Sequence, residues 1–428
     1  MPSLPPDPPS SLGNPPPPFT ETLELPDLPP ERAGRVVALA PGVAGVALDR
    51  CRKILIVKLD FIGDWVLTTP LLASLRRAAP QAEITAIVLE RVFSLARASR
   101  LVDRVISVPA AASGPLRFGA DASETLESFL RDYGVRGSFD LALVPRWDTD
   151  FNGATPIAGL SGATEVVGFS ERCTPRKQRD NRGFDTFLTT AIVDLRHCHE
   201  VEHALGLIEA LGGTPSTDLQ VDLAAGDISA ARSFRESAYG GGRPLLAVAP
   251  FAAGRRQWPD DRLSGVVSAL VDRYAFDPAV IASPDSAAHA HAFVDGLRAR
   301  GIPAATSVDA LGLGGNAALL GMAALFIGMD SGPAHLAAAL GVPVVVLTPN
   351  PVGSSPGHTG APERFRPWTG PSRLLLLRPA RHTEPCHDGC DADRPHCILG
   401  LTVDEVLDPV LEFARQVLPQ AAPQGVQR

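Results

Sequence analysis

The 428-residue chain lacks any run of about 18 uncharged apolar residues, the length a helix needs to cross a bilayer. No transmembrane helix is therefore expected. Its first residues lack a basic stretch followed by an apolar core, so no secretory signal is read there. Cysteine is scarce, with six residues in all. That is too few for a disulfide framework in a chain this long, and a reducing cytoplasm is the expected compartment. Excess positive charge is also missing: 39 Lys and Arg stand against 47 Asp and Glu, a net charge of −8. Nothing global points to nucleic acid, and none is expected as a partner.

What is present is apolar residue, 45% of the chain, at a mean hydropathy of +0.09. That is the composition of a soluble globular protein, long enough for two domains. Proline crowds the first 30 residues, in Pro5-Pro6, Pro8-Pro9, the run Pro15 to Pro18, and Pro29-Pro30. Such a segment favours polyproline II or disorder and cannot build a core. Residues 1–50 are read as a disordered proline-rich tail, of which 31–50 form a transition, a short helix or strand before the fold begins. Strands are expected at Lys53 to Lys58, Glu83 to Leu89, Val102 to Val108 and Asp140 to Val144. A helix is expected from Val201 to Leu211, ended by Gly212-Gly213. Gly240-Gly-Gly-Arg-Pro244 reads as a linker. A second alternation comes after it, with strands at Leu245 to Ala249, Ala324 to Gly328 and Val342 to Leu347. The fold class is α/β, with two doubly wound Rossmann-like domains: 51–240, then 241–401, closed by a helix and tail over 402–428 that Thr402 caps.

Two segments share one design. Lys53-Ile-Leu-Ile-Val-Lys58 is a buried strand, Leu59-Asp-Phe-Ile-Gly63-Asp64 a turn, and Trp65 to Arg77 an apolar-faced helix. Gly63 is read as freeing the backbone to turn sharply, and Asp64 as able to cap the helix. Far downstream, Phe326-Ile-Gly-Met-Asp330 is a strand, Ser331-Gly332-Pro333 a tight turn, and His335 lies in the first turns of a helix. A helix start presents free N–H groups and the positive end of the dipole, a site suited to phosphate or diphosphate. Asp330 and His335 can both face a ligand at the carboxyl edge of a parallel sheet. The plainer readings are a helix cap and a satisfied core histidine.

Together these segments resemble glycosyltransferase family 9, the ADP-heptose:lipopolysaccharide heptosyltransferases. The resemblance rests on Ile-Leu-Ile-Val-Lys-Leu-Asp-Phe-Ile-Gly-Asp-Trp-Val-Leu-Thr-Thr-Pro from Ile54, on Asp-Ser-Gly-Pro-Ala-His-Leu-Ala-Ala-Ala-Leu-Gly-Val-Pro from Asp330, and on Arg256-Gln-Trp-Pro259. It covers residues 51 to 415. It implies a GT-B architecture with a nucleotide-sugar donor in the second domain and a lipopolysaccharide core saccharide as acceptor. It further implies transfer with inversion, no divalent metal and no other cofactor, and a cytoplasmic enzyme held peripherally at the inner membrane by its acceptor. By the same resemblance Asp64 is the catalytic carboxylate, and Asp330, Ser331, Gly332 and His335 line the donor site. Arg256 stands where the family usually has lysine, which keeps the charge and changes its shape. Asp285, after the strand Ala279-Val-Ile281, is a candidate partner for a donor ribose hydroxyl. Trp258 is read as packing. Asp391-Ala-Asp393 has the spacing of a metal–diphosphate bridge but lies in a cysteine-rich loop rather than after a strand.

Two constellations invite a metal. His199-Glu-Val-Glu-His203 fits the zinc-peptidase pattern of two histidines on one helical face with a glutamate base, but no third ligand is evident downstream. Cys386-His-Asp-Gly-Cys390, with His396-Cys397 after it, has donors for zinc or iron; reduced structural cysteines are the simpler reading. Arg146, Arg176, Lys177 and Arg182 are read as solvated loop charges, with contact to an anionic acceptor as the alternative. The competing functional readings are a transferase that glycosylates protein and a non-catalytic GT-B scaffold that binds nucleotide or saccharide.

Overall fold

The computed structural model describes residues 34–108, 139–252, 254–358, 360–384 and 394–418, with Arg131, Gly134, Val135, Arg136, Cys386 and Ala392. The proline-rich run, Cys390 and the aspartates of Asp391-Ala-Asp393 lie outside the described residues.

The first sheet comprises β1 (Arg35–Ala38), β2 (Lys53–Lys58), β3 (Glu83–Leu89), β4 (Arg104–Val108), β5 (Leu141–Val144), β6 (Glu165–Phe169) and β7 (Thr190–Val193). Their order is β1-β7-β6-β5-β2-β3-β4, and every pairing is parallel. The second comprises β8 (Leu245–Ala249), β9 (Asp277–Val280), β10 (Ala305–Thr306), β11 (Ala323–Met329), β12 (Val344–Leu347) and β13 (Leu374–Leu377). It runs β10-β9-β8-β11-β12-β13, again all parallel. Parallel strands are covered on both faces, so they read as unbroken apolar runs. Ile54 to Val57 and Val344 to Leu347 are all fully buried.

The helices that carry the cleft and its supports are α1 (Ile62–Ala78), α2 (Glu200–Ala210), α3 (Ala225–Tyr239), α4 (Asp260–Tyr274), α5 (Leu313–Gly321), α6 (Gly332–Ala339) and α7 (Val403–Val417). Gly212 comes after α2 with φ +78°, the left-handed conformation that ends a helix cheaply only at glycine. Thr402 caps α7 in a reciprocal box with Glu405. Trp258 is fully buried, and its indole N–H donates to Leu401 O at 3.1 Å, as packing requires.

Two boundaries differ from the sequence expectation. Residues 35–38, expected in the tail, add β1 to the first sheet beside β7, and the turn after them bonds to the end of α2 through Gly42 N–H to Glu209 O and Ala44 N–H to Ala210 O. Four residues carry too little periodicity to choose between a short helix and a strand; pairing with a distant edge decides it. At the other boundary, α3 precedes the Gly240-Gly241 turn yet packs on α5 of the second sheet, and Tyr239 Oη donates to Pro278 O of β9. The second body therefore begins before α3, and the glycine pair is an internal turn.

In each sheet the strand order reverses direction between two neighbours, β2/β5 in the first and β8/β11 in the second. At such switch points the connections leave in opposite directions and open a crevice at the carboxyl ends of the strands.

Candidate active site

From β2 the chain runs Lys58-Leu59-Asp60 into α1. Asp64, in the first turn of α1, accepts a hydrogen bond from the Phe61 N–H at 3.3 Å. Its other oxygen lies 3.5 Å from the guanidinium of Arg146, on the loop after the neighbouring switch-point strand β5. The capping contact and the cleft-facing contact therefore coexist in one carboxylate. Asp60 lies between Lys58 Nζ at 2.7 Å and Arg146 at 3.0 Å. Burial and the adjacent charge of Asp60 raise the Asp64 pKa above the usual carboxylate range, against Lys58 and Arg146. Burial also works against ionised Asp60, but Arg146 and Lys58 reverse it and hold Asp60 low. Two neighbouring carboxylates are thus pushed apart in acidity, the arrangement that separates acid from base roles.

Arg146 and Lys177 are not the solvated loop charges expected. Their side chains are 11% and 2% exposed. Lys177 Nζ donates to the carbonyls of Arg146 at 2.7 Å and Trp147 at 3.2 Å, fixing the loop that aims the guanidinium. Arg182 is exposed, and Arg176 pairs with Asp180 at 3.4 Å.

The facing wall comes from β11 and β8. Asp330 ends β11, Ser331 is the N-cap of α6 and makes no side-chain cap bond, and the first N–H groups of α6 have no intrahelical acceptor. Arg256, on the turn after β8, donates to Asp330 O at 3.0 Å. The Asp330 carboxyl is only 8% exposed; burial lifts its pKa to about 6, against the pull of Arg256 and Arg255. His335 is 5% exposed. Burial, then His199 and Arg256, bring its pKa down to about 3, so its ring is neutral near pH 7. Its Nδ1 is buried without a hydrogen-bond partner, a polar atom aimed where nothing from the chain reaches it.

The two walls meet through glycine. A Cβ on Gly63 would lie 2.7 Å from His335 Cδ2, and one on Gly332 would lie 3.0 Å from Ile62 Cβ. Gly63 was expected to supply a sharp turn, but it lies inside α1 and outside the left-handed region. Its function is close approach: in the first turns of α1 and α6 each glycine makes room for a side chain of the facing helix, His335 against Gly63 and Ile62 against Gly332. Gly63, Asp64, Arg256, Asp330, Ser331, Gly332 and His335 therefore share one cleft. Asp285 sits after β9 at the same sheet edge, exposed, and makes no hydrogen bond or ion pair with the others.

Sequence reasoning missed much of the buried charge. Arg364, on the short helix Pro362–Phe365 between β12 and β13, is fully buried. It pairs with Asp148 at 3.0 Å and donates through Nε to Glu200 at 3.0 Å. Burial disfavours both anions; Arg364 and Arg146 outweigh it, bringing Asp148 to about 2 and holding Glu200 low. The charge-dense run Arg146-Trp-Asp148 after a strand was a signal for part of this; nothing in the sequence around Arg364 was.

The peptidase pattern dissolves. His199 is the N-cap of α2: its Nδ1 accepts from the Val201 N–H at 3.2 Å, so Nε2 carries the proton and donates to Arg366 O at 2.8 Å. Glu200 is held by Arg364, and His203 bonds Asp194 at 2.9 Å and stacks on Trp147. Three residues take three unrelated partners and do not converge on one point; His203 groups instead with Asp194 and Cys198, whose ligand atoms lie within 4.8 Å of one another.

The profile described as glycosyltransferase family 9 (heptosyltransferase) matches residues 174–379, which include Arg256, Asp285 and the Asp330 to His335 segment but not Gly63-Asp64. Lipopolysaccharide heptosyltransferase 3 of Escherichia coli is 26% identical over 295 residues, 67% of this chain and 80% of that protein. A family 9 glycosyltransferase structure from Veillonella parvula superposes with a TM-score of 0.66 at 19% identity, covering 87% of this chain and 99% of the other. The ADP-heptose lipopolysaccharide heptosyltransferase II of E. coli does so with a TM-score of 0.62 at 18% identity, covering 85% and 99%. These likenesses establish the GT-B fold, with one Rossmann-like body on each side of the cleft. Over residues 174–379 the chain matches glycosyltransferase family 9, and it is a glycosyltransferase.

Proposed function

We propose that the enzyme moves heptose from ADP-heptose to a saccharide of the lipopolysaccharide core, with inversion at the anomeric carbon. The observation that carries the reading is the opposition of two helix starts in one cleft, with Asp64 on one side and Arg256 and neutral His335 on the other. The donor's diphosphate gathers negative charge as its bond to the anomeric carbon breaks. The open N–H groups at the start of α6 and the Arg256 guanidinium suit that charge. On the other side Asp64 takes the acceptor hydroxyl's proton while the hydroxyl oxygen bonds to the anomeric carbon. The proton ends on Asp64 and the electron pair on ADP.

Asp330 and His335 bind the donor, and Asp285 meets its ribose from the open edge. The sugar, the base and the acceptor are drawn from what the matching proteins are named for. No helix among the described residues is long and apolar enough to cross a membrane, so contact with a membrane-borne acceptor is peripheral in this reading.

Thermal stabilisation by a panel of nucleotides and sugar nucleotides tests it, with wild type beside His335→Ala and Asp64→Asn. ADP and ADP-sugars are expected to stabilise wild type and Asp64→Asn, and His335→Ala less. Preference for a uridine or guanosine donor would overturn the donor assignment. Stabilisation without transfer to any acceptor would favour the non-catalytic scaffold.

A further inference from the structure

The cysteine-rich loop between β13 and α7 takes no part in this chemistry, yet its donor atoms converge. The ligand atoms of His382, Cys386 and Cys397 all lie within 4.8 Å of one another, with Cys386 Sγ 3.8 Å from His382 Nδ1. Neither thiol is in a disulfide. His396 stands at the rim, its Nδ1 3.1 Å from Cys397 Sγ. Tetrahedral zinc, with bonds of about 2.3 Å to sulfur and about 2.0 Å to nitrogen, sets its donors roughly 3.5 Å apart. The cluster is within about an ångström of that spacing. The Thr383 N–H donates to Cys397 Sγ at 3.4 Å, the type of outer hydrogen bond that orients a metal-bound thiolate. Thiolate with imidazole selects zinc-class ions over magnesium or calcium.

We infer that His382, Cys386 and Cys397 hold a structural Zn²⁺-class ion. The ion joins the two ends of the loop behind the donor wall. The turn that starts at Cys397 packs on the Gly254–Arg256 turn. Just beyond it, Arg262 donates to Leu399 O and Leu401 O, each at 2.7 Å. Binding there stiffens the support of Arg256, a consequence that rests on the proposed donor site; the ion itself does not.

The full chain, purified without a polyhistidine tag, is analysed for metal and thiols, then stripped with chelator and titrated with Co²⁺. A single ion per chain is expected, with thiolate-to-cobalt charge-transfer absorption in wild type. Cys386→Ser and Cys397→Ser are expected to lose that absorption while keeping the far-ultraviolet circular dichroism of the wild type, and His382→Ala to weaken Co²⁺ affinity at least tenfold. Wild type with neither metal nor the cobalt band, recovery of Cys386 and Cys397 as a disulfide, or a band unchanged in both serine variants would each overturn the site. Chelated wild type is also expected to bind ADP more weakly. The metal readouts use no nucleotide, so failure of the donor reading leaves them standing.

Discussion

On the Asp64 carboxyl, burial and Asp60 push toward the protonated form, while Lys58 and Arg146 pull toward the anion. The net upward shift brings it nearer the pH at which a general base is most effective. Asp64→Asn is expected to lower turnover by about 10²- to 10⁴-fold with melting behaviour kept, read by transfer assay and calorimetry together. Arg146→Met removes a cation from the same carboxyl. The acid limb of the pH–rate profile is then expected to move to higher pH; a limb that stays in place would disconnect Arg146 from the base. Across the cleft, His335 stays uncharged because burial opposes its proton.

At the scale of elements, α1 and α6 approach through glycine on both sides. Gly63→Ala would place a methyl 2.7 Å from the Cδ2 of the buried His335 ring. Overpacking of this kind costs about 1–3 kcal/mol. The chain is expected to remain folded with a lower melting temperature and to lose nucleotide-induced stabilisation. Unchanged nucleotide response in Gly63→Ala would show that the approach of the two helices is incidental. A second element sets the same geometry from behind. The connection between β12 and β13 crosses to the first body, where Arg364 meets Asp148 and Glu200, Arg366 O accepts from His199, and the Trp368 indole donates to Thr217 O at 3.1 Å.

For the whole molecule this strap couples the two sheets. Arg364→Ala leaves two carboxylates buried without their cation, and breaking such a pair costs about 3–5 kcal/mol. Denaturant unfolding is expected to show that loss. A cost below about 1 kcal/mol, the value of an exposed pair, would mean water reaches the network. Acid acts on the same molecule in two stages. His335 and His199 have folded pKa values near 3 and 4, below the ordinary 6.5. As pH falls below 6.5 the unfolded chain takes up protons that the fold refuses, so stability declines. Asp330, raised to about 6, works the other way between 6 and its ordinary 3.8, because its folded form takes up the proton first. Asp148, lowered to about 2, contributes stability present above its unfolded pKa and lost as pH falls through about 4 to 2. His335→Asn is expected to flatten the fall of melting temperature between pH 7 and 5; an identical slope would show that the histidine is not excluded from its proton.

The sequence by itself determined the strand–turn–helix units, because apolar runs, helix caps and turn glycines act over a few residues. Lys53 to Lys58 and the segment from Phe326 to Leu347 were legible for that reason, and so were the residues at their turns. Only the tertiary structure decided which charges are buried and with whom. Arg364 and Asp148 stand 216 residues apart, and no local pattern records such a pairing. Arg146 and Lys177 read as loop charges until the β5 edge enclosed them, and Gly63 read as a turn residue until His335 came to lie against it. Burial and ion pairing are properties of the assembled sheets, set by long-range contact rather than by the period of the chain.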